Sequence, residues 1–111
     1  MTGEGACWAY AVRRVREILG VVLPADWPAV LAAPEAIATD VPTGRRVMAG
    51  DLVLMRGVGS ARDHVGVAVD SFGVEHLGAH GPVWVSLATL RRSGVVKRVM
   101  RPRVRAAGAG A

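Results

Sequence analysis

An α+β domain, with N-terminal helices packed on an antiparallel β-meander, is the fold this sequence predicts. Three observations carry the prediction. Apolar residues recur at helical spacing through residues 7–19. From residue 51 the chain changes character, and short Val-rich runs alternate with Gly, Asp and Ser turns. Hydrophobic residues make up 51% of 111 residues, enough for one domain and one modest core. Aromatics are only 5%, so that core must be built from Val, Leu, Ala and Ile.

Each element has a local reason. Trp8, Val12, Val15 and Leu19 follow i, i+4, i+7, i+11 spacing, with Ala11 and Ile18 on the same side and Arg13, Arg16 and Glu17 largely on the other. Gly20 is the expected helix stop. Asp26 before Trp27-Pro28 can cap a short second helix, because Pro is tolerated in a first turn. Pro34 ends or restarts that helix. Residues 39–46 read as a loop, since Thr39, Asp40, Pro42, Thr43 and Gly44 are turn formers. Strands are expected at 51–55, 64–69, 74–77, 83–85 and 95–100. Residues 56–63 read as a Gly/Ser loop and 70–73 as a turn. Ser86 can cap a brief helical turn through Arg91. Residues 1–100 are read as the domain and 101–111 as a basic, disordered tail.

Charge narrows the function classes. Fourteen basic residues face nine acidic ones, a net +5, but no acidic residue follows Glu75. Lys97, Arg98, Arg101, Arg103 and Arg105 account for the whole excess, so the rest is balanced nine against nine. A nucleic-acid partner is therefore not indicated. No apolar run reaches the ~18–20 residues needed to span a bilayer, so no membrane insertion is expected. The N-terminus shows no basic region followed by an apolar segment. A protein cytoplasmic when made and without a signal peptide is the expectation.

Cys7 is the sole cysteine, which rules out an internal disulfide. A thiol at a helix mouth, after Gly5-Ala6, feels unpaired N–H groups and the positive end of the helix dipole, and both favour the nucleophilic thiolate. Three histidines follow, His64 and His76 in strand-like settings and His80 between two glycines. No pair of these has close metal-ligand spacing, so neither a metal nor another cofactor is expected.

These residues resemble a known family. Gly5-Ala6-Cys7-Trp8 opening a helix, then Ala49-Gly50-Asp51-Leu52-Val53-Leu54, then His64-Val65-Gly66-Val67, then Glu75-His76, are similar in order and spacing to the NlpC family of papain-like cysteine peptidases over roughly residues 3–92. The resemblance implies a papain-like fold and an endopeptidase that cuts stem-peptide amide bonds of peptidoglycan. The bond implied is D-glutamyl–diamino acid or a similar one. It implies Cys7 as nucleophile, His64 as general base and His76 as the third member. It also implies the Cys7 backbone N–H as an oxyanion donor, and Gly66 as leaving room for substrate beside His64. The Cys-Trp start is similar to variants encoded with phage tail proteins, so a virion location and phage-tail partners are part of the expectation.

Other readings stay open at this point. His80 rivals His76 for the third position, and a hairpin of odd length with a positive φ at Gly73 would favour His76. Asp51 reads best as a turn residue capping backbone N–H groups. Trp8 and Trp27 read as core, and Trp84 as core or a substrate wall. The family carries a Tyr ahead of its Cys; residues 1–6 have none, and Tyr10 lies inside the helix. That keeps a non-catalytic structural or assembly module as the alternative, and a thioester acyltransferase as a weaker one.

Overall fold

The computed structural model describes residues 4–57 and 63–103. Most of the predicted 56–63 loop and residues 104–111 of the predicted tail lie outside the described residues. The order is α1 (Glu4–Leu19), α2 (Trp27–Ala32), a 3-10 turn (Pro34–Ala36), β1 (Ala38–Asp40), β2 (Leu52–Met55), β3 (His64–Ala68), β4 (Gly73–Gly78), β5 (Gly81–Ser86), α3 (Leu87–Arg92) and β6 (Val96–Pro102). One antiparallel six-stranded sheet holds them, an α+β architecture as expected. No helix among the described residues is long and apolar enough to cross a membrane.

The helix ends follow their local chemistry. Gly20 adopts φ +70° and its N–H donates to the Arg16 carbonyl, closing α1. Asp26 Oδ1 accepts the Ala29 N–H at 3.2 Å, with Pro28 in the first turn of α2. Ser86 Oγ accepts the Thr89 N–H at the start of α3.

The sheet differs from a plain meander. Strands β2 to β5 do run as neighbours in chain order, but β6 crosses back to pair with β2, and β1 closes that edge. Residues 38–40, of which Thr39 and Asp40 read as loop, form β1 because β6 offers a partner for Ala38, Thr39 and Asp40. Thr39 and Asp40 carry turn-forming side chains that point out of the core, so nothing local marks them as strand. Arg98 reinforces the junction by pairing with both Asp40 and Glu35. Arg101 and Pro102, assigned to the tail by composition, belong to β6. Arg101 forks onto Asp51 at 2.9 and 3.0 Å.

Both faces of the sheet are covered. On one, Trp8, Ala11 and Val15 of α1, with Trp27 and Val30 of α2, pack on Leu52, Val65 and Val67. Trp8 and Trp27 stack with centroids 4.9 Å apart, so both are core. On the other, Val53, Met55, Ala68, Val74 and Val99 lie under Val41, Val47 and Leu87. Fully burying one such side chain is worth ~1.5–3 kcal/mol. The strand period of two therefore decides which face each functional side chain meets.

Candidate active site

The β3–β4 hairpin positions the two strand histidines. Asp70 Oδ1 accepts the N–H groups of Phe72 at 2.8 Å and Gly73 at 2.7 Å, which tightens the turn. The Val69 N–H donates to the Gly73 carbonyl, leaving a three-residue connection of Asp70, Ser71 and Phe72. The odd length is as expected. The positive φ expected at Gly73 is not found, because the Asp70 side chain turns the chain instead. What Gly73 provides is room: a Cβ there would collide with the Trp84 indole.

This register places His76 directly opposite Gly66 and therefore on the same face as His64. His64 Nε2 lies 3.0 Å from His76 Nδ1, and the rings meet edge to face. His80 sits exposed at the tip of the next hairpin, beyond the Gly78–Gly81 pair. The structure thus brings His76, not His80, to His64. Burial pushes the pKa of His64 below the ordinary 6.5, and the neighbouring His76 adds to that. Burial lowers His76 as well, against an opposing interaction with the Leu77 backbone. Both imidazoles are held toward the neutral form, which is the form able to accept a proton.

Gly66 plays another part than expected. A Cβ there would fall 2.7 Å from Val74 Cγ1, 3.0 Å from the Glu75 carbonyl oxygen and 3.2 Å from Met55 Cε. The space over Gly66 is filled by Val74, Met55 and the Glu75 backbone, so Gly66 permits close strand approach there.

Cys7 arrives from the opposite face, carried by α1. The β3–β4 register runs Ala68↔Val74, Val67↔Glu75, Gly66↔His76 and ends there, although β3 begins at His64 and β4 continues to Gly78. Counting by twos from Gly73, the Leu77 carbonyl belongs to the β3 side of β4. The Cys7 Sγ donates toward that carbonyl at 3.9 Å, a long contact even for sulfur. The thiol therefore stands at the fork where the two strands part, one residue along β4 from His76.

The helix starts earlier than the sequence predicts: α1 begins at Glu4, so Cys7 is its fourth residue and not its first.

Asp51 caps the Met48 N–H at 2.9 Å as expected, and it is also the buried partner of Arg101. It braces the entry to β2 and takes no part in the candidate site. Trp84 is 57% exposed and so is a surface wall, not core. Beside His64 lies a cavity of about 110 Å³ walled by Trp27, Val30, Leu31, Leu54 and Met55, with Asp63 and Lys97 also lining it. The Trp27 indole N–H is buried and has no hydrogen-bond partner among the described residues; nothing in the sequence distinguishes it from Trp8, whose N–H reaches the Pro24 carbonyl. Among the described residues no cluster of three His, Cys, Asp or Glu side chains is disposed to hold a metal ion.

No protein-family model matches this chain, and no curated protein matches its sequence.

Proposed function

We propose that this chain is a cysteine endopeptidase of the NlpC type, papain-like in fold, that hydrolyses a stem-peptide amide bond of peptidoglycan as a phage-tail component. The single observation that supports the reading is the His64–His76 pair at 3.0 Å, with the Cys7 thiol touching the carbonyl of Leu77, the residue after His76.

In the tautomer where His64 Nε2–H donates to His76 Nδ1, the lone pair of His64 is on Nδ1. That nitrogen takes the Cys7 proton, and the thiolate attacks the amide carbonyl carbon. Collapse of the tetrahedral adduct expels the amine, which takes the proton back from His64, and leaves a thioester on Cys7. Water, deprotonated by His64, then releases the acid and restores the thiol. His76 orients the His64 ring and stabilises its cation in both halves.

The test is release of stem-peptide fragments from purified sacculi by wild type and Cys7→Ala. Wild type is expected to release them and Cys7→Ala to fall to background. Equal release, or none from a folded wild type, would sink the reading.

A second reading, a non-catalytic assembly module that keeps the fold, draws support from the helix start at Glu4, which sets Cys7 three residues inside α1 and not at its mouth. It expects no release, and iodoacetamide labelling of Cys7 that titrates as an ordinary thiol near ~8.5.

A further inference from the structure

A groove of about 400 Å³ runs between α1 and β5, walled by Tyr10, Arg13 and Arg14 on one side and Pro82, Val83 and Trp84 on the other, with Glu75 at its floor. Cys7, Tyr10 and Arg14 stand at i, i+3 and i+7 on α1, one stripe facing β4. The groove thus starts one helical turn, about 4.5 Å of rise, from the thiol.

Its charges are unequally occupied. Glu75 Oε1 accepts from Tyr10 Oη at 2.8 Å and Arg14 Nε at 3.0 Å, and Arg14 also reaches Glu17. The Arg13 guanidinium lies 5.3 Å from the Tyr10 ring centroid, and among the described residues no carboxylate pairs with it. The lining therefore carries one cation more than its anions. Trp84 holds its position over Gly73 while 57% of its surface stays open to the groove and solvent. A guanidinium in search of an anion next to an exposed aromatic plane fits a ligand that is carboxylate at one point and aliphatic beside it.

We propose that this groove binds a carboxylate-bearing stretch of the peptide substrate, with Arg13 taking the carboxylate and Trp84 packing on the adjoining aliphatic part. The proposal rests on the peptidase reading for its substrate class. It makes Arg13 the residue that discriminates a free carboxylate from an amide, and the Glu75–Tyr10–Arg14 cluster the fixed floor against which Arg13 is set.

The experiment uses the full chain and two synthetic stem peptides, one with a free α-carboxylate on its D-glutamyl residue and one amidated there. Calorimetry on the Cys7→Ala chain reads binding without turnover, and kcat/KM on the Cys7 chain reads cleavage. The carboxylate peptide is expected to bind about tenfold more tightly at low salt, a difference that narrows as NaCl rises because Arg13 is exposed. Adding Arg13→Gln brings the ratio near one, and Trp84→Ala weakens both peptides alike. Equal binding of the two peptides, a ratio that Arg13→Gln leaves intact, or binding of neither overturns the groove. Arg13-dependent binding without cleavage by wild type overturns the peptidase and leaves the groove standing. Cleavage without charge preference overturns the groove alone.

Discussion

The β3–β4 hairpin and the first turn of α1 supply the two halves of the candidate site, and they are held by different kinds of contact. In the hairpin, a side-chain-capped turn, a three-pair register and a glycine packed against Val74 together bring two rings to 3.0 Å. The thiol is set by the docking of a whole helix, and its contact with Leu77 spans 70 residues of sequence at 3.9 Å. Within a hairpin, position follows from counting by twos. Between a helix and a sheet, it follows from the packing of Trp8, Ala11 and Val15 on Val65 and Val67, where no count applies.

The comparison breaks most visibly if the hairpin half is mere core. His76→Ala is expected to lower kcat/KM about 10²-fold, some 2.7 kcal/mol of transition-state stabilisation. A pH readout separates positioning from packing. Both folded histidines have pKa values below the ordinary 6.5. As pH falls through 6.5 the unfolded chain therefore binds protons first, so folding stability is full above 6.5 and is lost as pH drops toward the folded pKa values. Denaturation with urea at pH 5 and pH 7.5 should show that loss in wild type and a smaller one in His76→Ala. Unchanged kcat/KM together with an unchanged pH slope would make His76 a filler of space.

The two halves also differ in how legible they are from residues alone. The twelve-residue separation of His64 and His76, with Asp70 and Gly73 between them, contains the turn, the register and the shared face. The apolar stripe marks the helix only from Cys7, three residues late, since Glu4 and Gly5 add nothing to that stripe. β1 was read as loop because its pairing with β6 joins residues about sixty apart. For the same reason Arg101 looked like part of a solvated tail, when its partner Asp51 sits fifty positions away. Local chemistry spoke for caps and turns, whereas partners distant in the chain left no trace in composition.

Gly66→Ala sharpens the comparison with a smaller effect. The new methyl would press on Val74 Cγ1 and on the Glu75 backbone oxygen, and the backbone has little room to yield. A loss of ~2 kcal/mol is expected, as for overpacking elsewhere. Amide chemical shifts should move along β3 and β4 and stay fixed in α1. A loss under ~0.5 kcal/mol would mean that Val74 simply rotates away and the hairpin is less rigid than its register suggests.

The smallest effect tests whether the halves are independent. Asp26 caps α2 through one exposed 3.2 Å bond to the Ala29 N–H, so Asp26→Ala should cost ~0.5–1 kcal/mol. Its influence can reach α1 through the Trp27–Trp8 stack, and Trp8 is the next residue after Cys7. Iodoacetamide labelling of Cys7 should therefore quicken slightly, because loosening α2 loosens the helix that seats the thiol. The His76 ring resonances should keep their wild-type shifts, since its face of β4 is the one packed by Val74 and Leu87, whereas His64 borders the cavity that α2 lines. Movement of the His76 signals together with the labelling rate would show that one packed unit carries thiol and imidazole alike, and that the contrast between a counted half and a docked half is too sharp.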